Sequence, residues 1–212
     1  MTSESLGSVD PVAMPALELL RHYGTSPEAL LRLRTRPHQW LVMRGTSIDD
    51  AAFVQRDARI EALELAEAHD GVVIDLTIPR VIEQSSRSVS LAQATQWYVV
   101  DYASLNHSEL LTVGLTSFGL PEIVMTGVDQ SRHAMYSAVL AGLVHRLIAE
   151  WPANDPVGDA TITLRDIAYG LGEPDAIETP KDRSIVAAIE YDAMSGSLLV
   201  HLRGDPATAI FA

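Results

Sequence analysis

The sequence predicts an α+β protein, and three observations carry that expectation: two long stretches of helical periodicity, several short apolar runs bounded by glycine and proline, and a C-terminal hairpin pattern, with no regular strand-helix alternation. The expected architecture is a mostly antiparallel sheet with helices at about 48–69 and 131–151 packed on one face, plus a short helical appendage at the N-terminus. A chain of 212 residues that is 47% hydrophobic holds enough apolar side chain for one core. Residues 1–14, polar and small, read as a flexible arm, and 15–212 as a single domain made of the appendage at 15–36 and a core at 37–212.

Taken in order, Leu17, Leu19, Leu20 and Tyr23 trace a short helix closed by Gly24, and Ser26-Pro27-Glu28 supplies the capping residue and first-turn proline of a second. Arg32, Arg34 and Arg36 come next as a solvated cluster able to meet an anion. Alternation in HQWLVMR, residues 38–44, predicts a first strand, which Gly45-Thr46-Ser47 breaks, with Thr46 or Ser47 capping the next element. Ile48, Ala52, Ile60, Leu63 and Ala66 recur at helical spacing among acids and arginines, as on a surface helix that Asp70-Gly71 ends. The run 72–76 reads as a core strand, and Pro79 stops it or kinks the chain into Val81 and Ile82.

A serine-rich loop at 83–90 and a turn or two of helix at 91–96 lead to a strand at 97–102. Asn106, His107 and Ser108 turn the chain into strands at 110–115 and 123–126, where Gly114 marks a bulge or a close backbone approach. Asp129 is placed to cap the longest helix, whose Tyr136, Val139, Leu140, Leu143, Val144, Leu147, Ile148 and Trp151 lie on one face. Beyond Pro152 come a short strand at 161–164 and a turn of helix near Tyr169. Ile185, Ala187, Ile189 and Tyr191 then alternate, Ser195-Gly196 turns, and Leu198, Val200 and Leu202 alternate back. The final Ile210 and Phe211 are expected to cover a sheet edge.

Thr112-Val113-Gly114-Leu115, Phe118-Gly119, Pro121-Glu122-Ile123-Val124 and Thr126-Gly127, preceded by Trp97-Tyr98-Val99-Val100, resemble a group of bacterial domains of unknown function. Those domains carry a T-V-G-L segment, a short spacer and a P-E-hydrophobic-hydrophobic run before a long helix. The resemblance spans about 97–148 and implies a bacterial source and a strand, connection and strand feeding the main helix. It transfers no catalytic residue, because none is assigned in that group.

Composition narrows the function classes. A formal net charge of -13 opposes binding to nucleic-acid phosphates, which needs a basic face. No apolar run approaches the ~18 residues of a membrane span, and the N-terminal residues lack the basic and apolar regions of an export signal. The absence of cysteine removes disulfides and thiolate metal sites and agrees with a cytoplasmic location. The expected partner is another protein, with a basic one favoured by the charge, and a homodimer through a sheet edge or the 131–151 helix is compatible with the pattern. The acidic residues between 153 and 182 fit a solvated loop better than a docking site.

Phosphate-loop, dinucleotide, zinc-protease and nucleophile-elbow motifs are all missing, so no cofactor and no metal are expected. The preferred function is therefore a non-catalytic, protein-binding accessory, regulatory or immunity-type module. The alternative is a small hydrolase built from carboxylate and histidine at the strand ends. Its candidate catalytic residues are Glu122, Asp75 and Asp101, each set in or beside an apolar run, and His133 near Asp129 at the start of the long helix.

Overall fold

A computed structural model describes residues 14–35, 38–101 and 108–212. The arm, Arg36 and the turn at Asn106 and His107 fall outside the described residues, apart from Met14 and Ser108 at their borders. The architecture is α+β with a mostly antiparallel sheet, as the sequence predicts.

Two short helices come first, α1 (Leu17–His22) and α2 (Pro27–Arg34). Ser26 caps α2 by accepting from the Ala29 amide, with Pro27 at the first turn. The long helix α3 (Ala51–Ala68) comes after a 3-10 turn, Ile48–Asp50, and leads into a hairpin of β1 (Val73–Asp75) and β2 (Arg80–Ile82). That hairpin is a separate two-stranded sheet, so the run at 72–76 is not a strand of the main core. Leu20, Ala29, Leu30, Leu63, Val81 and Ile82 are buried in this N-terminal part. The Val81 amide donates to Thr25 Oγ1, which ties β2 to the connection between α1 and α2.

The main sheet contains β3 (Val99–Asp101), β4 (Glu109–Val113), β5 (Ile123–Thr126), β6 (Gly158–Thr163), β7 (Ser184–Asp192) and β8 (Ser197–Leu202). Their order is β3-β4-β5-β8-β7-β6, and among the described residues only the β5–β8 pair is parallel. Leu110, Ile123, Met125, Leu198, Val200, Ala187 and Ile189 point to one buried face, as period-two alternation requires. The helix α4 (His133–Glu150) contributes Val139, Leu140, Leu143 and Val144 to the same core.

A second helix, α5 (Leu164–Leu171), packs on α4, which accounts for Ala141 and Gly142 being buried as well. Ala141 and Gly142 lie off the apolar stripe that the periodicity predicts. A Cβ added at Gly170 would sit 2.2 Å from the Ala141 carbonyl oxygen, so the helix backbones themselves meet there. The acidic 153–182 stretch is accordingly more than a solvated loop: it forms β6 and a two-turn helix opened by a capping box between Thr163 and Asp166.

Two other expectations change. Residues 38–44 form no strand, because α3 and not another strand lies beside them. Ile210 is fully buried behind a short helix, α6 (Pro206–Ala209), which packs on α4 and β7, so the tail completes the core instead of covering an edge strand. Arg132, paired with Asp205, helps hold that tail to the start of α4.

Candidate functional site

Glu122 has a structural occupation. Its Oε2 accepts from Thr112 Oγ1 at 2.7 Å, and its Oε1 accepts from the amides of Gly114 at 2.8 Å and Thr116 at 3.3 Å. Thr112, fully buried, also accepts from the Ile123 amide. The carboxylate thus caps the 3-10 turn Leu115–Phe118, whose own N-cap, Gly114, has no side chain to do so. The T-V-G-L and P-E runs are two halves of one hydrogen-bonded unit. Replacing Glu122 with alanine strands two amides and a hydroxyl and is expected to lower stability by about 2 kcal/mol, read from urea denaturation. A variant as stable as the parent would show that the residue is kept for something other than this cap.

Asp75 closes β1 by accepting from the Thr77 and Ile78 amides and pairs with Arg59 of α3. Arg59 is only 8% exposed; its guanidinium lies 3.8 Å from the Trp97 ring centroid and donates to the Gln96 carbonyl. Arg80 donates to the same carbonyl at 2.7 Å. Burial pulls the pKa of both arginines down from the ordinary guanidinium value, and the Asp75 carboxylate pulls each back up. This cluster fastens the N-terminal part to the sheet. Sequence proximity points to Arg80 as the partner of Asp75, whereas the ion pair is made by Arg59, sixteen positions upstream.

Asp101 lies at the end of β3, where its Oδ1 is 3.1 Å from Nε2 of His22 in α1. Tyr23 belongs to the same group: burial raises its pKa, and the neighbouring Asp101 carboxylate raises it further. His133 opens α4, beyond the far end of β5 from Glu122. Glu122, which precedes β5, and His133, which opens α4 past the other end of that strand, are not brought together, while Asp75 is taken up by Arg59 and Asp101 lies beside His22. No sequence signal marks His22, because its partner is 79 positions away.

Among the described residues no group of three or more histidine, aspartate or glutamate side chains is gathered to hold a metal, and no helix is long and apolar enough to cross a membrane. A cleft between α4 and β6, lined by Leu143, Arg146, Glu150 and Val157, has about 90 Å³ of free space. That is well below the ~300 Å³ at which small-molecule sites begin.

Along α3 the surface departs from an ordinary solvated exterior. Trp40 (59% exposed), Met43 (77%), Ile48 (46%) and Phe53 (57%) present large apolar side chains to water within fourteen consecutive positions. Residues 38–47 lie along the helix as a strap: Trp40 stacks on His69 with ring centroids 4.8 Å apart, Arg44 pairs with Glu61, and Ser47 donates to Asp50. Asp49, Asp50, Asp57, Glu64 and Asp70 are exposed on or beside α3, while its two basic residues are occupied, Arg59 in the interior and Arg56 with Asp57. Apolar side chains ringed by acid make up the candidate site. No protein-family model, no curated protein and no solved structure matches the chain, so its function is argued from this surface.

Proposed function

We propose that the chain is a bacterial, cytoplasmic, non-catalytic module that binds another protein, in an accessory, regulatory or immunity-type role, and that the partner is basic. One observation carries this reading: the exposed row of Trp40, Met43, Ile48 and Phe53 set among the acids of α3. Several large apolar side chains exposed along the length of one helix favour an interaction surface, and the surrounding carboxylates favour a cationic partner and speed its approach. Nothing in the hydrogen bonding of the strap requires Trp40 or Met43, so their substitution should leave the fold intact.

The test compares affinity purification from native lysate using the parent and a Trp40→Ser, Met43→Ser, Phe53→Ser variant whose circular dichroism and melting match it. The expected result is a reproducible partner held by the parent, released by salt, and lost by the variant. Recovery of no reproducible partner, or equal recovery by both proteins, would overturn the reading.

The His22–Asp101 contact supports the alternative of a small hydrolase, since a carboxylate orienting an imidazole is the arrangement of a general base. Ester or phosphoester turnover that disappears in His22→Ala would favour it.

A further inference from the structure

We propose that residues 38–44 are a docking strand, completed when an extended segment of another protein, alternating apolar and basic residues, adds along its free edge. The proposal rests on the binding reading above and specifies how that surface is used. Three observations support it.

The sequence of the strap is that of a strand: Trp40, Leu41, Val42 and Met43 are residues of high or fair β propensity, and the alternation already predicts a strand there. The segment also follows the helix. Trp40 and Arg44 contact His69 and Glu61, eight positions apart on α3 or about 12 Å along its axis. Four residues of extended chain cover about 13 Å, so the spacing of the two contacts accommodates an extended segment.

Among the described residues, moreover, no backbone N–H or C=O from His38 to Thr46 makes a hydrogen bond within the protein. A segment of β-type sequence fastened to the helix by its side chains, with its main-chain groups open, is a template for strand addition.

Charge chooses the occupant. Glu61, where Arg44 fastens the strap, is flanked on the helix surface by Asp57 four positions before it and Glu64 three after it, both exposed, with Asp57 also paired to Arg56. Basic side chains on the helix-facing side of the partner would reach Glu64 and compete for Asp57, and the intervening apolar ones would lie on the outer face beside Met43, since Trp40 and Arg44, which both touch α3, point the other way. A second copy of this chain would bring the same acids against themselves, with Arg44 already paired to Glu61. Residues 1–13 carry Glu4 and Asp10 and no lysine or arginine, so they supply no matching charge either.

The experiment titrates the full chain with a labelled ten-residue peptide alternating valine and arginine, with its valine-glutamate counterpart, and with a version N-methylated at alternate residues. Hydrogen exchange of the strap amides is measured in parallel. The expected result is saturable binding of the arginine peptide, at least tenfold weaker binding of the other two, and slowed exchange within 38–44 on binding.

Val42→Pro and Met43→Pro provide the second arm. Adjacent amides of a strand point to opposite edges, so one of these variants should weaken binding at least tenfold while both keep the parental melting temperature. Binding without slowed exchange, equal binding by both proline variants, or protection arising from self-association in light scattering would each overturn strand addition. If the arginine peptide fails to bind but a lysate partner is still lost on substituting Trp40, Met43 and Phe53, strand addition falls and the binding reading stands. If both fail, both fall.

Discussion

Replacing Arg59 with alanine is expected to destabilise the protein by about 3–5 kcal/mol, the range for removing one partner of a buried ion pair. The guanidinium makes three contacts at once, with the Asp75 carboxylate, the Gln96 carbonyl and the face of Trp97. Its loss leaves Asp75, whose side chain is only 13% exposed, with Arg80 as the neighbouring cation, and places the effect toward the lower end of that range. Lysine at this position should recover less than half, because a point charge reproduces neither the planar fork nor the stacking.

The contrast is Arg56, three positions earlier on α3, whose pair with Asp57 is on the surface. Its alanine variant should change stability by under about 0.5 kcal/mol. Urea denaturation of the three variants measures the ranking. An Arg59→Ala cost below about 1 kcal/mol would mean that α3 is held to the sheet by apolar packing alone.

Gly114→Ala should be comparably severe, at about 3–5 kcal/mol or outright failure to fold, because strain and overpacking add. The backbone there has φ of +128°, outside the range that an alanine tolerates without strain. The new Cβ would also lie 2.6 Å from both Ile78 Cγ1 and the Trp97 carbonyl oxygen, in a fully packed region. Gly196, at the turn between β7 and β8, separates these costs: its φ is +69° but an added Cβ meets nothing within 4 Å. Gly196→Ala should therefore cost only about 1–2 kcal/mol, the conformational share. Similar losses in thermal or urea unfolding for the two variants would show that backbone strain, not crowding, makes Gly114 necessary.

These two residues also mark the reach of local sequence signals. Gly114 is legible, since a glycine within an apolar run signals a close backbone approach, and Ile78 and Trp97 are what approaches. Arg59 is not. It sits in a helix rich in exposed charge, where its text is the same as that of Arg56, and only the position of Trp97 beneath it distinguishes the two. Glu122 stands out because it lies among apolar residues, yet its role as a cap depends on β4 and β5 bringing Thr112 beside it. The strap at 38–44 reads as a strand, and its local preference is that of one. A strand needs a neighbour, however, and the fold supplies a helix instead.

By itself the sequence determined the two long helices, expected at 48–69 and 131–151 and found at 51–68 and 133–150, the β7–β8 hairpin and the α+β class. Helical and strand periodicities and turn chemistry act between residues close in the chain, so they leave a local trace. The tertiary structure alone decided the parallel β5–β8 pair, the packing of α5 on α4, the partner of Asp75, and the exposure of a row of large apolar residues beside the acids of α3. Each of these depends on which distant surfaces meet, and a side chain's pattern is the same whether its neighbour is a sheet, a helix or solvent.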